Sequence, residues 1–177
     1  GLDIIPANMN MDAAAVDLML DQEANQIVRL KDVLDQVEDQ YDYCFIDCPP
    51  GVGINVLNAL AAAEDVIIPI KVDKDALDGM EELTEVIEEI RPYNPGLSMV
   101  KCLVTMFTND ISVVKGEEAL QKSEYSTFNT HICYSKKVVD WTYEKQKSLI
   151  ETTPRSAATR DYKSLAAEYI RLTRKEG

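Results

Sequence analysis

Residues Tyr41-Asp42-Tyr43-Cys44-Phe45-Ile46-Asp47-Cys48-Pro49-Pro50-Gly51-Val52-Gly53 constrain the fold more than any other stretch, because an apolar run there carries one aspartate into a Pro-Pro-Gly turn. Cys44, Phe45 and Ile46 are consecutive and apolar, the pattern of a strand buried on both faces of a parallel sheet. Ligands of such sheets gather at the carboxyl ends of the strands, and Asp47 stands at such an end. The two prolines lack the N–H a ladder needs and stop the strand, while Gly51 and Gly53 allow a close turn into the next helix. Read this way, Asp47 is a magnesium carboxylate of a nucleotide-binding α/β domain. The plainer alternative is that it caps the following helix.

The rest of the chain alternates strand and helix patterns, which predicts a mostly parallel sheet flanked by helices. Strands are predicted over 2–5, 42–47, 65–70, 99–106 and near 127–133. Helices are predicted over 12–20, 23–38, about 54–63, 75–91, about 113–123, about 136–146 and 156–174. The 23–38 helix aligns Ile27, Leu30, Val33, Leu34 and Val37 on one face; the 75–91 helix aligns Leu77, Met80, Leu83, Ile87 and Ile90. Its glutamates, Glu81, Glu82, Glu85, Glu88 and Glu89, face water. The last helix is expected to bury Tyr162, Leu165, Ala166, Tyr169 and Ile170. No internal repeat, low-complexity tract or interdomain linker interrupts the pattern, so residues 1–177 read as a single domain.

Composition supports a globular piece with one substantial core, at 177 residues and 46% hydrophobic content. No run approaches the ~18 apolar residues that cross a bilayer, and a cytoplasmic location is expected. Cys44, Cys48, Cys102 and Cys133 form no C-x-x-C pair and read as buried thiols rather than as a disulfide framework or zinc site. Charge is uneven: residues 1–90 carry −17 and residues 91–177 carry +4. A surface for nucleic acid therefore belongs to the second half, since a negative field repels phosphate.

The motif around Asp47 extends well beyond the turn. It continues into Asn55-Val56-Leu57-Asn58-Ala59-Leu60-Ala61-Ala62-Ala63-Glu64-Asp65-Val66-Ile67-Ile68-Pro69, and the whole resembles the Walker B strand, switch turn and next strand of the ParA/Soj partition ATPases. Leu2-Asp3-Ile4-Ile5-Pro6-Ala7-Asn8 resembles their third strand. Ala76-Leu77-Asp78-Gly79-Met80-Glu81-Glu82-Leu83 and Leu103-Val104-Thr105-Met106-Phe107 resemble the helix and strand that follow. The likeness weakens between Ile111 and Tyr134.

The resemblance implies a P-loop NTPase-like fold missing its first two strands, and it implies ATP and Mg2+ as cofactors of the parent protein. Asp47 would hold the metal through water. Pro49, Pro50 and Gly51 would form the switch turn that senses the γ-phosphate, while Met106, Phe107, Cys133 and Tyr134 align with the adenine pocket. The family often has proline where Cys133 falls. Its deviant Walker A loop, with two lysines around a glycine run, has no counterpart here, which suggests a carboxyl-terminal part preceded by roughly 70 residues. Without those lysines the piece is expected to have no catalytic residue set, to bind no nucleotide and to hydrolyse no ATP.

A missing P-loop strand also raises a structural question, because in the family it lies between the strands resembling 42–47 and 65–70. Unpaired buried amides cost on the order of 1–3 kcal/mol each. A closed-up sheet, with 42–47 against 65–70, or a self-associated one is the expectation.

Partition ATPases dimerise with ATP, bind DNA nonspecifically through basic residues near the carboxyl end, and respond to a centromere-binding protein. Arg155, Arg160, Lys163, Arg171 and Arg174, with Lys136, Lys137 and Lys175 nearby, match that region, and a nucleoid-associated location would follow. Ordinary solvated helix residues are the alternative, with Asp161, Glu168 and Glu176 interspersed. A MinD-like membrane-associated regulator fits less well, because no apolar tail follows Arg174-Lys175-Glu176-Gly177. The remaining class is a truncated, non-catalytic interaction module. Trp141 reads as core and His131 as a surface or strand residue.

Overall fold

The computed structural model describes residues 1–8, 10–21, 25–73, 76–136, 138 and 148–174. The chain divides into two compact units, one of Gly1–Asp65 with Glu81–Ser98 and one of Val66–Met80 with Met99–Gly177. Within them, helices flank a parallel sheet. No helix among the described residues is long and apolar enough to cross a membrane.

The first unit is built on α3 (Ile54–Ala62), an almost wholly apolar, alanine-rich helix that buries Ile54, Val56, Ala59, Leu60 and Ala61. Before it come α1 (Met11–Leu20), α2 (Arg29–Leu34) and a single 3-10 turn (Glu38–Gln40). After it, α4 (Ala76–Ile90) gives this unit buried Ile87 and Ile90, with Leu97 just beyond. Two buried asparagines tie the pieces together. Asn94 donates from Nδ2 to the carbonyls of Leu60 and Ala63, at 2.8 and 2.6 Å, and so satisfies acceptors that the end of α3 would otherwise leave open.

Asn58 explains why the helix predicted over 23–38 is shorter than its periodicity suggests. Its Oδ1 accepts from Leu30 N at 3.1 Å and its Nδ2 donates to Gln26 O at 2.8 Å. Leu30 N and Gln26 O are the pair an α-helix would join directly, so the inserted amide occupies that bond and α2 begins only at Arg29. Past Leu34 the chain enters turns, and Val33 is exposed rather than packed.

The strands predicted at 2–5 and 42–47 do not form. Leu2, Ile4 and Ile5 are 87%, 76% and 83% exposed and Phe45 is 84% exposed. Both runs have strand composition, but among the described residues neither has a neighbouring strand to close its backbone hydrogen bonds. The closed-up sheet is thereby overturned: 42–47 does not join 65–70 in a ladder. For the same reason Cys44 and Cys48 are exposed, against the expectation of buried thiols, whereas Cys102 is buried and Cys133 half-buried.

In the second unit, β1 (Asp65–Lys71) and β2 (Met99–Thr105) are adjacent strands. Pro69, exposed in the middle of β1, offers no N–H, which suits an edge strand. β2 buries Cys102, Leu103 and Val104 in succession, as a strand covered on both faces does. Desolvation pushes the Cys102 thiol up to about 11, so it stays protonated as a packing group.

The segment predicted as a strand over 127–133 runs beside β2 but makes only isolated parallel bridges, Cys102 with Thr127 and Phe107 with Cys133. Cys102 N donates to Ser126 O and Phe128 N to Cys102 O; the next bond is Ile132 N to Val104 O. Residues 129–131 thus bulge out of the ladder. Phe128 and Ile132, on either side of the bulge, form a core with Leu103, and Ile67, Met99, Leu165 and Tyr169 pack against it.

Helix α5 (Ile111–Lys122) buries Leu120, and α6 (Leu149–Thr152) is closed by a Ser148/Glu151 capping box. Helix α7 (Ala157–Thr173) starts where the Ser156 side chain accepts from Thr159 N. It turns Ala158, Thr159 and Glu168 fully inward and Leu165 and Tyr169 partly so, whereas Tyr162, Ala166 and Ile170, expected in the core, lie exposed. The helix predicted at 136–146 and Trp141 fall largely outside the described residues.

Helix α5 comes very close to the residue after β1. A Cβ added at Gly116 would lie 2.3 Å from Cγ1 of Val72, a β-branched side chain with little freedom to withdraw. Gly116→Ala is expected to destabilise the chain by about 1–3 kcal/mol. In urea unfolding this is a lower midpoint at unchanged slope.

Candidate functional site

In the first unit Asp47 lies in the Pro-Pro-Gly turn ahead of α3. It is exposed and has no hydrogen bond or ion pair among the described residues. Pro49 and Pro50 are exposed beside it, and Gly51 has φ of +93° with open space where a Cβ would stand. That φ favours glycine, so the turn is written into the sequence. Desolvation of the sulfur, and then the charge of Asp47, push the Cys48 thiol up, so it stays protonated near neutrality.

These residues fit part of a magnesium site. A free carboxylate on a glycine turn suits a hard cation that keeps several waters and takes one or two carboxylates beside phosphate oxygens. No group of three or more His, Cys, Asp or Glu side chains converges among the described residues, so Asp47 would be one ligand in a water-rich shell.

In the second unit the structure brings together the other four predicted nucleotide residues at the end of β2. Phe107 N donates to Ile132 O at 3.0 Å, and Tyr134 N to Phe107 O at 2.8 Å, placing Phe107 directly beside Cys133 and Tyr134. Met106 adopts φ of +52°, uncommon for a residue with a Cβ, and this turns the chain out of β2. Met106 and Tyr134 are about half exposed, at 54% and 53%, while Phe107 is buried. The four form a rim with two exposed apolar side chains.

Three carboxylates hold this rim, and the sequence reading assigned none of them a role. Glu168, only 5% exposed, accepts from Asn129 N at 2.8 Å, Asn129 Nδ2 at 3.1 Å and Thr130 N at 2.9 Å. Asp161 accepts from Cys133 N at 3.0 Å. Glu117 on α5 lies 2.8 Å from Nδ1 of His131, whose ring stacks on Phe107 with centroids 3.8 Å apart. Desolvation first, and then the Asp161 carboxylate, push the Cys133 thiol up. Burial by itself would raise Glu168, but the hydrogen bonds from Asn129 and Thr130 outweigh it and hold the carboxyl below the usual glutamate range. The seven-residue spacing of Asp161 and Glu168, on the helix face of Leu165 and Tyr169, is the signal in the sequence that they point inward.

Away from the face of Leu165 and Tyr169, Arg160, Lys163, Arg171 and Arg174 are exposed and form no ion pair among the described residues, although the Arg160 charge reaches the Cys133 thiol and opposes its rise. At 100° per residue they fall within an arc of about 80°, and they span about 21 Å of helix. Asp161 and Glu168, though interspersed in sequence, are committed to the rim and do not interrupt the stripe. Arg155 is exposed in the turn before the helix, and Lys136 is exposed farther back. Lys137 and Lys175 lie outside the described residues.

Comparison with known proteins follows the same lines. An AAA-domain family model matches residues 1–99. The chromosome partitioning protein ParA of Myxococcus xanthus is 39% identical over 113 residues, which is 63% of this chain and 39% of that protein. The sporulation initiation inhibitor protein Soj of Bacillus subtilis is 30% identical over 170 residues, 94% of this chain and 66% of its own length. The chain thus spans between about two fifths and two thirds of these relatives. Among solved structures, cobyrinic acid a,c-diamide synthase from Mycobacterium smegmatis, with bound ADP and magnesium, matches with a TM-score of 0.75 at 23% identity. That match covers 94% of this chain and 60% of the synthase, and it is a likeness of fold.

The depressed Glu168 value sets a pH dependence. A carboxylate whose folded-state value lies below its ordinary 4.5 contributes stability that is complete above that value and lost as pH falls through the depressed one. Amide exchange at Asn129 and Thr130 is expected to lose protection on acidification below about 4.5, and Glu168→Gln is expected to lack this acid step.

Proposed function

The chain belongs to the ParA/Soj-type partition ATPases, and from that membership we propose that residues 1–177 are part of a single ATPase domain that partitions plasmid or chromosomal DNA. Asp47 contributes a magnesium ligand through water, and the turn Pro49-Pro50-Gly51 registers the terminal phosphate through its backbone. Met106, Phe107, Cys133 and Tyr134 form the rim that receives the adenine base. Bound magnesium would neutralise charge on the phosphates. The lysine-bearing phosphate loop has no counterpart in the 177 residues, so hydrolysis requires a segment this sequence does not contain.

The DNA half of the proposal is carried by one observation: the stripe Arg160, Lys163, Arg171 and Arg174 is free of intervening carboxylate because Asp161 and Glu168 face the rim. Four cations over about 21 Å match a phosphate backbone better than they match a partner of mixed charge. Homodimerisation with ATP, a centromere-binding partner protein and a cytoplasmic, nucleoid-associated location complete the proposal, as the family resemblance implies.

The stripe is tested by duplex binding across a salt series. With nonspecific binding through phosphates, log affinity is expected to fall with log salt at a slope of about −0.9 per phosphate contacted. Lys163→Ala and Arg171→Ala should each remove about one contact from that slope, equally for duplexes of different sequence. A slope that does not respond to these substitutions would falsify the stripe reading. For the nucleotide half, Asp47→Ala in the full-length gene product is expected to lower magnesium-dependent phosphate release by on the order of 10²-fold. The 177-residue chain alone should release none.

A further inference from the structure

Between the rim and α5 stands His131, the one imidazole of the chain. It lies two residues before Cys133, on the segment bridged to Phe107, and its ring stacks on that of Phe107 with 3.8 Å between centroids and 14° between planes. Its Nδ1 is 2.8 Å from Oε1 of Glu117, a side chain only 13% exposed. The ring is thus held on one face and at one nitrogen. His131 is still 32% exposed, so what remains open is its outer face and the edge that carries Nε2. Nε2 has no hydrogen bond among the described residues. A ring needed for packing alone would be apolar, with no nitrogen to hydrate and no carboxylate to desolvate beside it.

The Glu117 contact also decides which nitrogen of the neutral ring carries the proton. An ionised carboxylate can only accept, so the bond puts N–H on Nδ1 and leaves a lone pair on Nε2. An acceptor on the open edge attracts an exocyclic amino group and repels a carbonyl. Adenine carries an amino group on C6, where guanine carries a carbonyl. The main chain of the rim offers less discrimination, because the amides of Phe107, Cys133 and Tyr134 are already donated to Ile132 O, Asp161 and Phe107 O, and none of these three is left to read a base edge. The geometry points to His131 as a specificity-determining residue that accepts, at Nε2, a hydrogen bond from the amino group of adenine, with Glu117 as the positioning residue that fixes its tautomer. The inference rests on the proposed role of the rim as the place that receives the base.

The test compares wild type, His131→Phe and Glu117→Gln as full-length gene products. ATP and inosine triphosphate, which has a carbonyl where ATP has its amino group, compete with a ribose-labelled fluorescent ATP in the presence of Mg2+. Binding is read near pH 8.5, about two units above an ordinary imidazole value. The wild type is expected to prefer ATP roughly tenfold, the scale of one hydrogen bond made against one refused. His131→Phe keeps a ring on Phe107 and removes Nε2, so the preference should fall towards one while ATP still binds. The amide of Glu117→Gln can donate as well as accept, which frees the tautomer and should lower the preference in the same direction. Loss of packing alone would weaken both nucleotides equally and leave the ratio unchanged. Variants that bind and keep the wild-type ratio overturn the inference. So does a wild type that binds both nucleotides equally, which leaves the rim itself standing. A wild type that binds neither removes the rim and the inference together. If His131→Phe does not fold, judged by circular dichroism, Glu117→Gln decides the matter.

Discussion

Backbone hydrogen bonding between strands is the constraint from which most of this structure follows. β2 has β1 on one side and the broken segment 126–134 on the other, and the apolar core of the second unit is assembled around it. Residues 2–5 and 42–47 have comparable strand character but no partner strand among the described residues, and Leu2, Ile4, Ile5 and Phe45 stay in water. An apolar run becomes a strand only when its amides and carbonyls are answered. Asp47 inherits this situation: it stands at the end of a run with strand composition that is not a strand here, and its carboxylate is left open.

Side chains replace the ladder where it fails, and in three places they do so with defined geometry. Asn58 occupies the bond between Gln26 and Leu30, delaying α2. Asn94 answers carbonyls at the end of α3. Glu168 accepts the amides that bulge away from β2. Each group is buried and multiply bonded, which is the condition under which a polar side chain is tolerated in a core. The Glu168 bonds to Asn129 and Thr130, with that from Cys133 N to Asp161, fix the segment 129–133 to the helix that carries the exposed cations.

Much of the architecture was legible from pattern. The elements 54–63, 65–70, 75–91, 99–106 and 156–174 appear close to their predicted limits, because each has a strong period and clear end signals. Met106 and Phe107 meet Cys133 and Tyr134, far from them in sequence, at one end of β2. Periodicity failed where a long-range partner decided the outcome. The pattern of Ile27, Leu30 and Val33 is sound for a helix, yet an amide from residue 58 stops it from starting early. Tyr162 and Ile170 have the apolar character of core residues, but the inward face of α7 is set by Leu165, Glu168 and Tyr169 instead.

By itself, the sequence determined the elements at 54–63, 65–70, 75–91, 99–106 and 156–174, the glycine turn after Asp47, the family, and the uneven charge that places cations near the carboxyl end. These depend on local residue preferences and on short-range spacing, which travel with the chain. Only the tertiary structure decided that 42–47 joins no strand among the described residues, that 127–133 is a bulged rather than a regular strand, and that Asp161 and Glu168 face inward. Those outcomes turn on which backbone groups find partners many residues away, and a carboxylate looks the same in sequence whether it meets water or an amide.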